Sequence, residues 1–365
     1  MNAPDFLLRD ALLRPGALPR MSAADISMVV SQARTSRLLA SLAARLEASG
    51  TLALLPESAR RHFRSAMLVH HKQLRDLLYD CESIRAALAS VDLRLVLLKG
   101  GAYLHTSLAV SQGRLITDID IIVPREHIED AESALNAYGW ESSQLDSYNE
   151  SYYRRWSHET PALVNPRRGT TLDLHHNILP PTAGPTIDAD LLFDSVKEVK
   201  PATFTLSLQD MVIHSATHLF HEGEFYHGLR DLWDLHQMLQ EFPQLDASFW
   251  DGLVARARQL ELDAPLCHAL RYTRLVFETP VPAKVIAEAT GWAARLRQPL
   301  MDFLFIRAFR PSHPGCRLPL TGLALNALYI RSHYLRMPLH LLLPHLLRKA
   351  WMRRKDDSAT ALDNK

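Results

Sequence analysis

The sequence predicts an α/β (α+β) protein in which a β-sheet is flanked by helical regions on both sides along the chain. From residue 23 to about 90, apolar residues recur at spacings of three and four, as on one face of a helix. At Leu93 the pattern changes to short apolar or alternating runs that end at glycine or proline. The helical spacing returns after residue 181. We therefore expect a helical segment over 1–90, an α/β core over 91–180, a helical domain over 181–300 and a basic helical region over 301–365.

The composition is that of a folded chain with a sizeable core. The protein has 365 residues, of which 47% are hydrophobic and 22% charged, and this balance argues against disorder. Its three cysteines (Cys81, Cys267 and Cys316) are too few and too widely spaced for a disulfide framework or a cysteine-based zinc site. We find no cleavable signal layout and no apolar run near the roughly 20 residues of a spanning helix. The expected compartment is the cytoplasm.

Several short runs predict the strands of the core. The apolar run from Leu93 to Leu98 predicts a buried strand that ends at a Lys-Gly-Gly turn, with a helix from Ala102 to about Val110 after it. The alternating run from Thr117 to Val123 predicts a second strand, closed by Pro124. We also expect a helix over Glu126–Tyr138 and strands at Tyr148–Trp156, Ala162–Asn165 and Thr170–His176. Beyond residue 181 we predict helices and no further strand.

Two aspartates at the start of the second strand suggest a metal site. Asp118 and Asp120 are two positions apart, so in a strand both carboxylates point to the same face, about 7 Å apart along the backbone. Like charges at this distance repel each other unless a cation lies between them. Paired carboxylates that hold Mg²⁺ or Mn²⁺ are common in phosphoryl transfer. The simpler alternative is a solvated strand start.

A third carboxylate belongs to another predicted strand. Asp173 alternates with Leu172 and Leu174, so its side chain faces away from the leucines. If this strand neighbours the strand of Asp118, three carboxylates converge, which is enough for two divalent ions.

The turn before the predicted helix has the residue types of a phosphate-binding turn. Gly100 and Gly101 permit close approach of the backbone to a ligand, and the amides that open the following helix favour an anion. Lys99 adds a positive charge for phosphate. On its own such a turn is a weak signal, but its order before Asp-x-Asp and a later aspartate is more specific.

In that order the sequence resembles the nucleotidyltransferase superfamily of the DNA polymerase β type, and within it a poorly characterised bacterial branch in which Lys-Gly replaces the usual Gly-Ser. The resemblance covers about residues 93–239. The later His214, His218 and Leu229-Arg230-Asp231-Leu232 also resemble the helical part of that branch. The motifs that carry it are Leu97-Leu98-Lys99-Gly100-Gly101, Arg114-x-x-x-Asp118-Ile119-Asp120-Ile121-Ile122-Val123 and Leu172-Asp173-Leu174-His175.

The resemblance implies a twisted mixed sheet and the metal-dependent transfer of a nucleoside monophosphate from a nucleoside triphosphate (NTP) to an acceptor. Asp118, Asp120 and Asp173 would bind Mg²⁺ or Mn²⁺, and Asp173 would also activate an acceptor hydroxyl. The triphosphate would be held by Lys99, Gly100, Gly101 and Arg114. The acceptor is a small molecule, a carbohydrate or a protein. Alternatively, Arg114 pairs with Asp118 and has a structural role.

Two alternative functions stay open at this stage. A non-catalytic relative would bind nucleotide or a partner and act as an adaptor, which the change from Gly-Ser to Lys-Gly-Gly favours. A toxin-type nucleotidyltransferase of a defence system would carry similar motifs.

Histidines form a second pattern. His214, His218 and His221 lie on one face of a predicted helix, at a spacing that can hold zinc but that differs from the metalloprotease motif. We expect them to line a nucleotide cleft or to pack between helices. His175 and His176 follow Asp173 and could contact a substrate. Arg230 and Asp231 would form an ion pair or border the cleft, and Asp231 is a further candidate for the site.

The charge is unevenly distributed. Residues 303–355 contain no Asp or Glu and carry a net charge of +10, although the whole chain has a net charge of only +1. This region could contact an anionic membrane surface or an acidic partner, bind RNA phosphates, or simply be solvated. Nucleic acid is not favoured as the acceptor, because no basic pattern interleaved with aromatic residues is present.

Overall fold

The computed structural model describes residues 6–142, 156–221, 223, 225–338 and 340. Four helices form the N-terminal region: α1 (Leu7–Leu13), α2 (Ala23–Thr35), α3 (Leu39–Ala48) and α4 (Glu57–Ala89). This agrees with the helical periodicity of residues 23–90.

Within the described residues, strands and helices follow in the order β1 (Leu95–Leu97), α5 (Lys99–His105), β2 (Asp118–Ile122), α6 (Ile128–Ala137), β3 (Glu141–Ser142), β4 (Leu163–Asn165), β5 (Thr170–His175), α7 (Asp190–Phe193), β6 (Lys197–Lys200) and β7 (Thr203–Thr205). Helix α5 thus begins at Lys99 itself and ends five residues before the predicted Val110. The predicted strand Tyr148–Trp156 lies outside the described residues except for Trp156, which is helical.

The C-terminal region is helical. Its helices are α8 (Leu208–His221), α9 (Gly228–Leu245), α10 (Phe249–Gln259), α11 (Asp263–Phe277), α12 (Ala283–Ala289), α13 (Trp292–Ala308) and α14 (Thr321–Arg336). Within the part of the chain that the structure describes, no helix is long and apolar enough to cross a membrane. The suggested uses of the basic region stay predictions, because the charges of residues 348–355 lie outside the described residues.

The strands form one mixed sheet in the order β3-β4-β5-β2-β1-β7-β6. The pairs β2–β5 and β1–β7 are parallel, and the other four pairs are antiparallel. Helices precede and follow this sheet along the chain. The α/β fold class and the mixed sheet are therefore confirmed.

The expectation that no strand follows residue 181 is wrong. Strand β7 pairs in parallel with β1, with Leu95 opposite Thr203, and β6 pairs with β7 at the edge of the sheet. In β7 the two threonines are buried and Phe204 is only partly buried, so the usual order of apolar inside and polar outside is reversed. Hydrophobic periodicity therefore gave no strand signal. The four-part division stays a prediction, although its limit at residue 180 excludes two strands from the core.

Helix α4 supports two loops that approach the sheet. The amide of Gly113 donates to Nε2 of His70 at 3.2 Å, so Nδ1 of His70 donates to the carbonyl of Arg114 at 3.1 Å. Burial lowers the pKa of His70, which agrees with this neutral, bifunctional state. Further along α4, the buried Asp80 pairs with Arg168 and accepts a hydrogen bond from Thr170 at 2.6 Å. One helix thus fixes both the loop before β2 and the turn before β5.

Gly113 lies where this loop meets α3. It has a left-handed φ of +72°, and a Cβ atom at this position would overlap the carbonyl group of Ala40. Gly50 has a similar φ of +68° but no atom within 4 Å of such a Cβ. Substitutions at these two positions therefore distinguish the free-energy cost of the backbone conformation from the free-energy cost of a steric clash.

We expect Gly113→Ala to destabilise the protein more than Gly50→Ala. The left-handed conformation costs about 1 kcal/mol in both variants, and the clash with Ala40 adds about 2 kcal/mol at Gly113 alone. Urea unfolding of the two variants and the wild type measures the difference. Equal losses in the two variants would show that the loop moves freely away from α3.

Candidate functional site

The register between β2 and β5 brings the predicted carboxylates to one place. Asp120 is paired with Asp173 across the two parallel strands, and Asp118 is paired with Thr171. Ile119 and Leu172 alternate with these aspartates and are fully buried. The apolar faces of both strands therefore hold the three carboxylates on a common side.

Asp120 is buried and bound by two side chains. Nζ of Lys99 donates to its Oδ1 at 2.7 Å, and Nε2 of His175 lies 3.2 Å from the same oxygen. Burial alone would raise the pKa of Asp120, but the attraction of Lys99 and the hydrogen bond from His175 hold this pKa well below its usual range. Oδ2 receives no hydrogen bond from any described residue.

Asp173 has the opposite electrostatic behaviour. Burial, together with repulsion from Asp120 and Glu159, raises its pKa to about 7. No ammonium or guanidinium group within the described residues forms an ion pair with it. The carboxylate is therefore able to take up or release a proton near neutral pH.

Helix α5 begins with Lys99, Gly100 and Gly101, and the backbone of this first turn is tightly packed against its neighbours. Lys99 has a left-handed φ of +41°, which is rare for a residue with a side chain. A Cβ at Gly100 would lie 3.0 Å from Arg114 and Ile116, and one at Gly101 would lie 3.1 Å from Leu97. The glycines thus permit α5 to pack tightly against its neighbours, and Lys99 is held pointing at Asp120.

Arg114 is positioned by a partner that the sequence analysis did not predict. Its Nε donates to Oδ2 of Asp234, in α9, at 2.6 Å, and its guanidinium lies over the ring of Tyr103. Burial would lower the pKa of Arg114, but the charge of Asp234 raises it. The suggested pairing of Arg114 with Asp118 is not observed. Arg230 and Asp231, one turn earlier in α9, form the expected ion pair at 2.6 Å.

Two cavities meet at the carboxylates, and Lys99, Asp118 and His218 line both of them. The first, here called the basic cavity, has a volume of about 330 Å³. It contains most of the predicted nucleotide-binding residues together with cationic groups from other elements. Its lining includes Arg37, Lys99, Gly100, Arg114, Thr117, Asp120, Arg230 and Asp231.

The second, here called the histidine cavity, has a volume of about 360 Å³. It lies on the side of Asp173 and combines carboxylates with imidazoles and one large aromatic ring. Its lining includes Trp156, His158, Glu159, Asp173, His175, His218 and His221.

The helical histidines line the cleft or pack beside it, as expected. The positive charge of Lys99 and then burial hold the pKa of His218 well below its usual range. Burial, and then Lys99, lower the pKa of His214 to about 3. Nδ1 of His221 is hydrogen-bonded to the carbonyl of Thr217 at 3.1 Å. Uncharged imidazoles thus form one wall of the site.

Some residues of the site were missed by the sequence analysis. His158 and Glu159 lie in an irregular segment, so no periodicity marked them. His175 was expected only as a substrate contact. It follows Asp173 by two positions on the same strand, so both side chains lie on one face of the sheet, and this spacing could have indicated its bond to Asp120.

The mixed sheet, with three carboxylates on one side of the adjacent strands β2 and β5, is consistent with a nucleotidyltransferase domain. A family model described as "Uncharacterised nucleotidyltransferase" matches residues 22–278. The match covers well over half of the chain, and the protein therefore belongs to this nucleotidyltransferase family. No match was found among curated proteins or among solved structures.

We expect Asp173→Asn to stabilise the protein in a pH-dependent way when divalent ions are removed. The pKa of Asp173 is about 7 in the folded state and about 4 in an unfolded chain. The folded state therefore binds this proton more tightly, and stability is lost progressively as the pH rises from about 4 to about 7. The variant should melt a few degrees above the wild type at pH 8, and this difference should be clearly smaller at pH 5.

Thermal unfolding in the presence of EDTA measures this difference. Asp76→Asn removes an exposed carboxylate of α4 whose ion-pair partner is Lys72 and not a histidine. It is the control and should leave the pH dependence of wild-type stability unchanged. A stabilisation by Asp173→Asn that is equal at pH 5 and pH 8 would contradict the raised pKa.

Proposed function

We propose that the protein is a metal-dependent nucleotidyltransferase that moves a nucleoside monophosphate from an NTP to a hydroxyl group of a small molecule, a carbohydrate or a protein. The observation that carries this proposal is the register of β2 and β5, which sets Asp173 beside Asp120 on the face that also bears Asp118. Membership of a nucleotidyltransferase family supports the same reaction class.

The carboxylates fit a hard divalent cation. Asp118, Asp120 and Asp173 offer oxygen ligands of the kind that Mg²⁺ and Mn²⁺ prefer. The mutual repulsion that raises the pKa of Asp173 is the repulsion that a bound cation relieves. When bound, such ions neutralise phosphate charge and stabilise the attacking and leaving oxygens.

The basic cavity suits the triphosphate. Its lining contains four cations (Arg37, Lys99, Arg114 and Arg230) and four aspartates. A bound divalent cation would therefore leave this lining net positive and favourable for phosphate. The bond to Asp234 fixes the orientation of Arg114, so little conformational freedom is lost when it binds an anion. Lys99 lines this cavity while its Nζ donates to Asp120, so its charge would favour both the phosphates and this carboxylate.

The histidine cavity suits the acceptor. Its hydroxyl oxygen would attack the α-phosphorus, the bond to pyrophosphate would break, and the hydroxyl proton would pass to Asp173. A pKa of about 7 matches a general base that works near neutral pH. Trp156 offers an apolar surface in this cavity for the body of the acceptor.

We expect Asp118→Asn and Asp120→Asn each to lower the turnover by about a hundredfold or more, because each removes charge that orders the phosphates. The assay follows pyrophosphate release from each NTP with Mg²⁺ and a pool of hydroxyl-bearing acceptors. Asp130→Asn, on the surface, should keep wild-type turnover. Full activity of Asp120→Asn would contradict the assignment of the carboxylates.

A nucleotide-binding adaptor is the second candidate. The observation that favours it is the bond from Lys99 to Asp120, since an ammonium group already neutralises one carboxylate of the site. Both candidates bind NTP, but only the enzyme releases pyrophosphate.

Ligand-dependent stability separates the two candidates. A ligand that binds the folded state raises the melting temperature by mass action. For the enzyme we expect NTP and Mg²⁺ together to raise it, and the double variant Asp118→Ala/Asp120→Ala to lose this rise. A rise with NTP alone that survives the double variant, without pyrophosphate release, would favour the adaptor.

A further inference from the structure

A second group of ligand-type side chains lies beside the three aspartates. His158, Glu159 and His175 each offer one ligand atom, and the three atoms lie within 4.8 Å of one another. His158 and Glu159 precede β4, and His175 ends β5. The group combines two imidazoles with one carboxylate, whereas the aspartates offer oxygen alone.

The backbone holds these two segments together. The amide of His176 donates to the carbonyl of His158, and the amide of Thr160 donates to the carbonyl of Leu174, both at 2.9 Å. Glu159 and His175 form a β-bridge between these bonds. The spacing of the three side chains is therefore set by paired backbone and does not depend on long, mobile chains.

The two nitrogens of His175 face different partners. Its Nε2 lies 3.2 Å from Oδ1 of Asp120, and a carboxylate accepts hydrogen bonds, so Nε2 carries the hydrogen. Nδ1 lies 3.5 Å from Oε2 of Glu159, and in the neutral ring its lone pair faces this oxygen. Nδ1 is buried and has no hydrogen-bond partner among the described residues. In the neutral ring this lone pair and Oε2 repel each other, and either a proton or a metal cation between them removes the repulsion.

His158 also has an unsatisfied ring nitrogen. Its Nδ1 is buried and lacks a hydrogen-bond partner among the described residues. The rings of His158 and His175 lie with their centroids 5.4 Å apart. Two unsatisfied imidazole nitrogens beside one carboxylate need an explanation.

One ligand-to-ligand distance fits a tetrahedral metal ion, and all three ligand atoms lie within 4.8 Å of one another. Ligands bound at about 2.05 Å around tetrahedral zinc lie about 3.4 Å from one another. The 3.5 Å between Nδ1 of His175 and Oε2 of Glu159 matches this value. A metal-binding histidine usually donates its other nitrogen to a carboxylate, and here Asp120 accepts that bond.

We propose that His158, Glu159 and His175 form a binding site for a transition-metal ion, with Zn²⁺ as the ion that this donor set fits best. None of its ligands is one of the three aspartates, although Asp120 orients His175, and the site does not depend on the binding of nucleotide. A fourth coordination position would face the histidine cavity and would be open to water or to an oxygen of a small ligand.

The test uses Zn²⁺ and Co²⁺ alone with the full-length protein. Calorimetry gives the stoichiometry and affinity of Zn²⁺, and Co²⁺ reports coordination through its visible spectrum, which is intense for four-coordinate sites with nitrogen ligands and weak for six oxygens. His158→Ala and Glu159→Gln remove single ligands. His227→Ala is the matched control, because Nδ1 of His227 is also buried without a described partner but lies in the basic cavity. Asp118→Asn tests independence from the aspartates.

We expect one Zn²⁺ per chain in the wild type and an intense Co²⁺ spectrum. His158→Ala and Glu159→Gln should each weaken Zn²⁺ binding by about tenfold or more, while His227→Ala and Asp118→Asn keep both signals. Melting curves without metal verify that each variant is folded. No stoichiometric Zn²⁺ binding, or binding that is lost in Asp118→Asn and kept in His158→Ala, would overturn the proposal.

Discussion

The parallel pairing of β2 with β5 is the constraint on which the site depends. Ile119 and Leu172 are buried on one face of these strands, so the aspartates that alternate with them must lie on the other. A slip of one residue would exchange the two faces and bury charge in the core. The register that the core requires is therefore the register that gathers the carboxylates. The same alternation of apolar residues and aspartates therefore determines both the packing of the core and the position of the carboxylates.

Three carboxylates so close together repel one another, and the surrounding residues offset this repulsion at Asp120 more than at Asp173. Lys99 neutralises Asp120 and keeps it ionised, whereas Asp173 is left with neighbours that raise its pKa. Two carboxylates paired across adjacent strands thus have different protonation behaviour near neutral pH. This difference arises from Lys99 and His175 at Asp120 and from burial and repulsion at Asp173. In the proposed function it would let the same group of carboxylates both attract cations and accept a proton.

The sequence predicts most of this arrangement and fails at identifiable places. Asp118, Asp120 and Asp173 were found because alternation in a strand shows which residues share a face. Strand β7 was missed because its buried residues are threonines, and His158 was missed because its segment has no repeat. The partner of Arg114 could not be predicted, since Asp234 is 120 positions away and only tertiary packing brings it near.

The wall between the two cavities has a kinetic consequence. Lys99, Asp118 and His218 face both spaces, so the two occupants would be separated by a single layer of side chains. Neither substrate would have to leave before the other arrived. A donor and an acceptor held in this way form a ternary complex, and initial rates measured against both concentrations would give intersecting lines, as in a sequential mechanism, instead of the parallel lines of a ping-pong mechanism.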